Sequence, residues 1–333
     1  MPRTARLDAP GVVHHVMGRG LDRQLTFRDD RDREDFIQRL TTLVEKGALT
    51  VYAWALLPNH FHLLVRTGVH PLPRSMRSLL TGYAGAFNRR HKRTGHLFQN
   101  RYKSIVVEEE RYLLELVRYL HLNPLRRGMA PDLRTLDRYP WSGHSALLGT
   151  VPRAWQETRT ILARFGSTRS RARHGYRAFV TEGLAQGRRA ELQGGGLIRS
   201  LGGWQAVQTL RRGRETYVAD ERVLGSSDFV ENLRHDAEQR EEERLRLRSE
   251  APDLPTLLQR VAAAVGVGPA ALTGGGRSRD LVRARDGLAY LWIEVLGHSG
   301  GDLARTLALH AVSVYRAARR GRENRSDWDI VVK

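Results

Sequence analysis

The sequence predicts an α+β protein: a ferredoxin-like antiparallel sheet with helices, then a helical extension and a small all-α domain. Three observations predict it. Up to Pro124, short apolar runs and amphipathic stretches alternate in the order β-α-β-β-α-β-α. Two of those runs, on either side of Pro58-Asn59, are apolar enough to be strands with both faces buried. From residue 254 onward only helical patterns remain. The expected division is 1–150, 151–250 and 251–325.

Taken in order, residues 11–17 read as a first strand. Asp29 to Lys46 is an amphipathic helix with Phe36, Ile37, Leu40, Leu43 and Val44 turned inward. Strands follow near 50–56 and 61–66, a helix from about Pro73 to Arg90, and a strand at Ser104–Val107. Glu109 to Pro124 is a helix with acidic residues in its first turn and a proline stop. This order is expected to place the helices on one face of the sheet. The stretch 151–235 reads as mostly helical, broken by Gly194-Gly195-Gly196 and Gly202-Gly203. Ala237 to Arg248 is a charged helix or linker, and Pro252 and Pro255 mark a boundary. The last unit holds helices at Arg283–Trp292, Asp302–Leu309 and Ser313–Arg320, the last two joined by a turn at Leu309-His310-Ala311.

A chain of 333 residues is long enough for two or three domains with their own cores. Its charge balance, 55 − 36 = +19, points to a polyanionic partner. Arginine dominates, which a GC-rich genome would also produce, so clustering is the better guide. Arg74, Arg77, Arg89, Arg90, Lys92, Arg93, Arg101 and Lys103 fall in one segment, interleaved with Tyr83, Phe87, Phe98 and Tyr102. Such a segment suits a phosphate track with stacking side chains, although some of those aromatics belong to the core. The absence of cysteine excludes disulfides and cysteine-based zinc sites. No run of about 18 apolar residues and no apolar N-terminal signal region occurs, so a cytoplasmic protein with no membrane partner is expected.

Two constellations carry chemistry. In His60-Phe61-His62, residues i and i+2 of a strand project to the same side. Two imidazoles a few ångströms apart in a half-buried site stay neutral and so are available to a metal. Hydrogen-bonded core histidines are the plainer reading of that tripeptide. Farther on, Tyr119 and Asn123 are i and i+4 on one helix face, with Tyr112 one heptad earlier. An amide oxygen beside a phenol places a third metal ligand next to a nucleophile. A core tyrosine followed by an Asn-Pro helix end has the same pattern.

Together these segments resemble a known family. Leu57-Pro58-Asn59-His60-Phe61-His62-Leu63-Leu64, Gly95-His96-Leu97-Phe98-Gln99-Asn100-Arg101-Tyr102-Lys103, Arg118-Tyr119-Leu120-His121-Leu122-Asn123-Pro124-Leu125-Arg126-Arg127-Gly128 and Tyr139-Pro140-Trp141-Ser142-Gly143-His144-Ser145 stand in the order seen in REP-associated tyrosine transposases, of the single-tyrosine HUH endonuclease group. The opening Gly11 to Gly20 fits as well, so the resemblance covers about the first 150 residues. It implies metal-dependent cleavage and rejoining of single-stranded DNA at repetitive hairpins. His60 and His62 would hold Mg²⁺ or Mn²⁺ with Asn123 as third ligand, and Tyr119 would attack to give a 5′-phosphotyrosine. Arg19, in the opening segment, joins the basic cluster as an expected DNA contact. Tyr112 is a reserve nucleophile, and His121 has no assigned role. Glu221 to Val230 is similar to the extension of longer family members.

The C-terminal unit resembles the DNA-binding domain of the bacterial initiator DnaA, a helix-turn-helix reading in which Ser313, Tyr315, Arg316, Arg319 and Arg320 face duplex DNA. A three-helix bundle without that role shows the same pattern. Gly-Lys-Ser/Thr never occurs, so no nucleotide cofactor is expected. Two other classes stay open for the whole: a non-catalytic hairpin binder or regulator, and a metal-dependent hydrolase with no covalent step.

Overall fold

Apolar runs bounded by turn residues build the sheet at the centre of the first unit: β1 (Val13–Arg19), β2 (Leu49–Leu57), β3 (His60–Thr67) and β4 (Lys103–Val107). The computed structural model describes residues 11–68, 71–186, 192, 223–274, 276–328 and 331. The chain folds as two units, Met1–Ala237 and Glu238–Lys333. In the first, the strand order is β2-β3-β1-β4, every neighbour antiparallel, as in a ferredoxin-like sheet. A fifth short strand, β5 (Val223–Leu224), pairs parallel with β4. Pro58 and Asn59 form the turn between β2 and β3, with Leu57 opposite His60.

The two faces of this sheet are covered differently. Phe61, Leu63 and Val65 pack against α1 (Asp30–Glu45) and α2 (Leu72–Arg90) through Phe36, Ile37, Leu40, Met76, Leu79 and Tyr83. Leu64 on the opposite side packs under α3 (Glu109–Arg126) with Leu113, Leu116, Val117 and Leu120. The expectation of helices on one face therefore holds for α1 and α2 only. Both sides of β3 are buried, so both need a helical layer. Asp29 caps α1 by accepting from the Asp32 N–H, and Arg90 ties α2 back to Asp29 and Asp32.

The expected proline stop is also corrected. α3 continues through Pro124 to Arg126, because a proline near the end forfeits only its own amide bond. The Arg127 N–H donates to Asn123 O, and the helix closes at Gly128 in the left-handed conformation, φ +70°.

Beyond α3, the short helices α4 (Leu133–Leu136), α5 (Gly143–Leu148) and α6 (Arg159–Leu162) precede α7 (Arg169–Glu182). This segment closes the edge of β2: the Leu56 N–H donates to Trp141 O and the Glu157 N–H to Val51 O. Gln156 accepts from Trp54 Nε1 at 2.8 Å and donates to Tyr52 O and Gly143 O. Ile161, Tyr176 and Val180 join the α3-side core, so the chain through α7 shares the core of the sheet.

The charged stretch forms part of α8 (Ser227–Glu250). In the second unit, α9 (Leu254–Val265), α10 (Pro269–Thr273), α11 (Arg279–Ala289), α12 (Gly300–Thr306) and α13 (Ala311–Glu323) enclose Leu257, Val261, Leu288, Leu303, Val314 and Trp328. α11 runs on into a π-helical turn at Tyr290–Val295, and α12 and α13 are joined across residues 307–310. The two glycine breaks expected near 194–203 lie outside the described residues.

Candidate active site between β3 and α3

His60 and His62 project from the α3 face of β3, their ring centroids 5.2 Å apart. Tyr119 hangs over them from α3, its ring 6.2 Å from His62 and nearly perpendicular to it. Asn123 stands one turn later, where its Nδ2 donates to Tyr119 O at 3.0 Å and leaves the amide oxygen uncommitted to that bond. All four residues line one cleft of about 330 Å³, together with Arg19, Gln99, Asn100, Arg101, Lys103 and Arg127. The i, i+2 and i, i+4 spacings in the sequence thus converge as expected. Tyr112 does not line this cleft; it is half-buried at the edge of the α3-side core, with the Arg111 guanidinium over its ring.

Burial sets the charge state of the two histidines. His60 titrates at about 4 through burial, helped by the cationic Arg19 and Arg127. His62 is pushed well below the usual histidine value by burial, then by His15, His60 and the same arginines. Both are neutral at pH 7, the form that carries a bare nitrogen.

The hydrogen bonds then select which nitrogen is bare. Asn59 Nδ2 donates to Arg23 O at 3.2 Å, which turns its Oδ1 toward His60. His60 Nδ1–H donates to that oxygen at 2.7 Å, so Nε2 is the free nitrogen. Nδ1 of His62 pairs with Nε2 of His15 at 3.0 Å, so Nε2 is the His62 nitrogen turned toward the cleft. Two imidazole Nε2 atoms and one amide oxygen form a donor set that fits an open divalent site. Among the described residues no three His, Asp, Glu or Cys side chains converge on a metal position.

His15 and Asn59 were not assigned a role from sequence. The pairing Met17↔His62 and His15↔Leu64 places His15 diagonally beside His62 on the same face. His14 points to the opposite face, so the His14-His15 doublet concealed one site residue beside one core residue. Arg127, from the Arg118–Gly128 motif, also reaches the cleft.

The expected phosphate track divides in space. Arg19, Arg101 and Lys103 are exposed and line the cleft. Arg74, Arg77, Arg89 and Arg90 belong to α2, which covers the other face of the sheet, and Lys92 and Arg93 follow it. Arg90 is held by Asp29 and Asp32, while Arg93 donates to Gln24 and lies over the Phe87 ring. Tyr83 and Phe87 are core residues, and so is most of Tyr102. On α13, Tyr315, Arg316 and Arg319 are exposed, Ser313 is half-buried, and Arg320 is paired with Asp286 at 2.6 Å.

His121, two residues after Tyr119, faces away from the cleft into a second buried network. His121 Nδ1 and His144 Nδ1 lie 2.7 and 2.8 Å from the Tyr176 hydroxyl. His144 Nε2–H donates to Asp137 at 3.0 Å, and Arg177 Nε donates to the other carboxylate oxygen at 2.8 Å. Burial holds both histidines neutral and pushes the Tyr176 phenol well above its usual value. Its role is structural: it fastens α5 and α7 to the helix that carries Tyr119.

Residues 10–123 match the family of IS200-like transposases, a span of about a third of the chain that begins just before β1 and ends on Asn123. All of His60, His62, Tyr119 and Asn123 fall inside it. Among solved structures, the chain is similar to a REP-associated tyrosine transposase bound to a REP hairpin, with 14% identity, 47% of this chain and 98% of that chain covered, and a TM-score of 0.39. No curated protein matches.

Proposed function

We propose that the chain is a DNA strand transferase that cuts single-stranded DNA at repetitive hairpins through a 5′-phosphotyrosine, with Mg²⁺ or Mn²⁺ held by His60, His62 and Asn123. The observation that carries this reading is the convergence of two neutral imidazoles, an amide and a phenol in one cleft ringed by Arg19, Arg101, Lys103 and Arg127. The IS200-like family match over these residues supports it.

A divalent ion, when bound, would polarise a non-bridging oxygen of the scissile phosphate. The chain's own residues do the rest. The arginines and lysine draw the phosphodiester backbone into the cleft and offset the charge that develops on it. Tyr119 Oη forms a bond to phosphorus as the bond from phosphorus to O3′ breaks; the phenol loses its proton and the departing oxygen gains one. The phosphodiester energy is stored in the tyrosine ester, so a 3′-hydroxyl can reverse the step and rejoin strands without a nucleotide cofactor. α3 holds the phenol at fixed height over the histidines through packing by Leu116, Leu120 and the Asn123 bond.

The exposed Tyr315, Arg316 and Arg319 face of α13 supports a second DNA contact, with duplex beside the hairpin, in a helix-turn-helix manner. Ser313 stands at its margin, and Arg320 is engaged with Asp286 instead.

The test is the covalent adduct. Tyr119→Phe removes one oxygen and should leave fold and DNA affinity intact. It should abolish the denaturation-resistant protein–DNA complex formed on a hairpin oligonucleotide, while Tyr112→Phe retains it. The opposite result would reassign the nucleophile, and cleavage without any adduct would favour a hydrolase.

A further inference from the structure

His15 touches a site residue without entering the cleft. Its ring is fully buried and stacked on His62, with centroids 5.3 Å apart and planes at 27°, and it meets the edge of Tyr119 at 6.4 Å. Its Nε2 points at His62 Nδ1, 3.0 Å away, and the residue is not part of the cleft lining. It is therefore no third ligand.

A neutral imidazole carries one proton. The His15–His62 bond can hold that proton in two ways, and they are not equivalent. If His15 donates, His62 Nδ1 is the acceptor and the His62 proton sits on Nε2, facing the cleft, where it blocks coordination. If His62 donates, its Nε2 is bare. We propose that His15 is a positioning residue: by accepting the His62 Nδ1–H at its own Nε2, it holds His62 in the form whose Nε2 can bind a metal ion. The inference rests on the metal-assisted reading above and adds to it the residue that makes His62 competent.

His60 is held in the same manner by a different group. Asn59 is anchored through Nδ2 to Arg23 O and can only accept from His60 Nδ1. The two histidines of the site thus have one tautomer imposed on each, by an amide from the turn and by an imidazole from the neighbouring strand. Such outer partners fix ring orientation as well as proton position. His15 is well suited to both tasks, because the sheet pairing immobilises its backbone and Tyr119 bounds its ring.

The test uses the full chain, with Mn²⁺ as the probe. Long-range ¹H–¹⁵N spectra of the histidine rings report each tautomer in the metal-free protein, and calorimetric titration reports Mn²⁺ affinity. The wild type should show His62 protonated on Nδ1. In His15→Leu the His62 proton should move to Nε2 and Mn²⁺ affinity should fall about 10–100-fold, with the His60 signal unchanged. His15→Gln keeps an acceptor oxygen and should recover most of that loss, which a merely space-filling role would not produce. If His15→Leu fails to fold, His15→Gln decides: affinity within a few-fold of wild type supports the proposal, and a loss of about tenfold or more overturns it. Unchanged affinity in folded His15→Leu, or a wild-type His62 protonated on Nε2, also overturns it. If wild type takes up no Mn²⁺ at all, the metal reading fails on its own, separately from the tautomer measurement.

Discussion

Replacing Tyr176 by Phe tests whether the segment after residue 150 is part of the same folded unit as the sheet. The directions of the bonds follow from Asp137, which can only accept while ionised. His144 donates to it from Nε2, so His144 Nδ1 accepts the Tyr176 O–H at 2.8 Å, and Tyr176 Oη accepts the His121 Nδ1–H at 2.7 Å. All three side chains are fully buried. Tyr176→Phe keeps the ring and its packing, leaves a space the size of one oxygen, and strands one donor and one acceptor. Each buried group left unsatisfied costs about 1–3 kcal/mol, so the loss should be about 2–6 kcal/mol. That is a large share of the roughly 5–15 kcal/mol that holds a domain folded. Hydrogen exchange of the α3 and α7 amides, read by mass spectrometry across urea concentrations, measures this unit without interference from the second. A loss below about 0.5 kcal/mol, the range of an ordinary surface substitution, would refute the assigned network.

The remaining predictions concern charge. Arg19, Arg101 and Arg127 line the cleft, so each Arg→Ala change should lower the salt slope of single-strand binding by about 0.7, whereas Arg77→Ala and Arg89→Ala, on the other face, should not. Arg316→Ala with Arg319→Ala should instead act on duplex, at about 0.9 per residue; equal effects on both DNA forms would remove the division of labour between the units. For pH, His15 at about 3 and His60 at about 4, with His62 and His121 also lowered, all bind fewer protons folded than unfolded. Their stability contribution is complete above about pH 6.5 and is lost as pH falls toward 4, by up to about 1.4 kcal/mol per histidine per pH unit. A metal-free unfolding free energy that stays flat from pH 7 to 5 would contradict those buried neutral rings.

What could be read from the sequence and what could not divides along a physical line. Strand alternation and helix spacing are local, so the β-α-β-β-α-β order, the His60/His62 pair and the Tyr119/Asn123 pair were all legible. Which face a helix covers is not local. Strands buried on both sides have no polar face to mark the second layer, so the pattern alone does not separate α3 from α1 and α2. The basic cluster of residues 74–103 divides for a related reason: neighbours in sequence, its residues are distributed over two faces by one helix and one strand, and Arg90 is paired with the acidic residues that open α1. His15 lies 47 positions from His62, and only the β1–β3 register brings them together. The motif thus identifies the atoms that can bind, but the position of their protons depends on cross-strand and turn partners with no fixed spacing. On the metal-assisted reading, a chain could keep His60-Phe61-His62 and Tyr119 intact and still lose its site by changing His15 or Asn59, because a histidine with the wrong nitrogen protonated is present in the motif and closed to the ion.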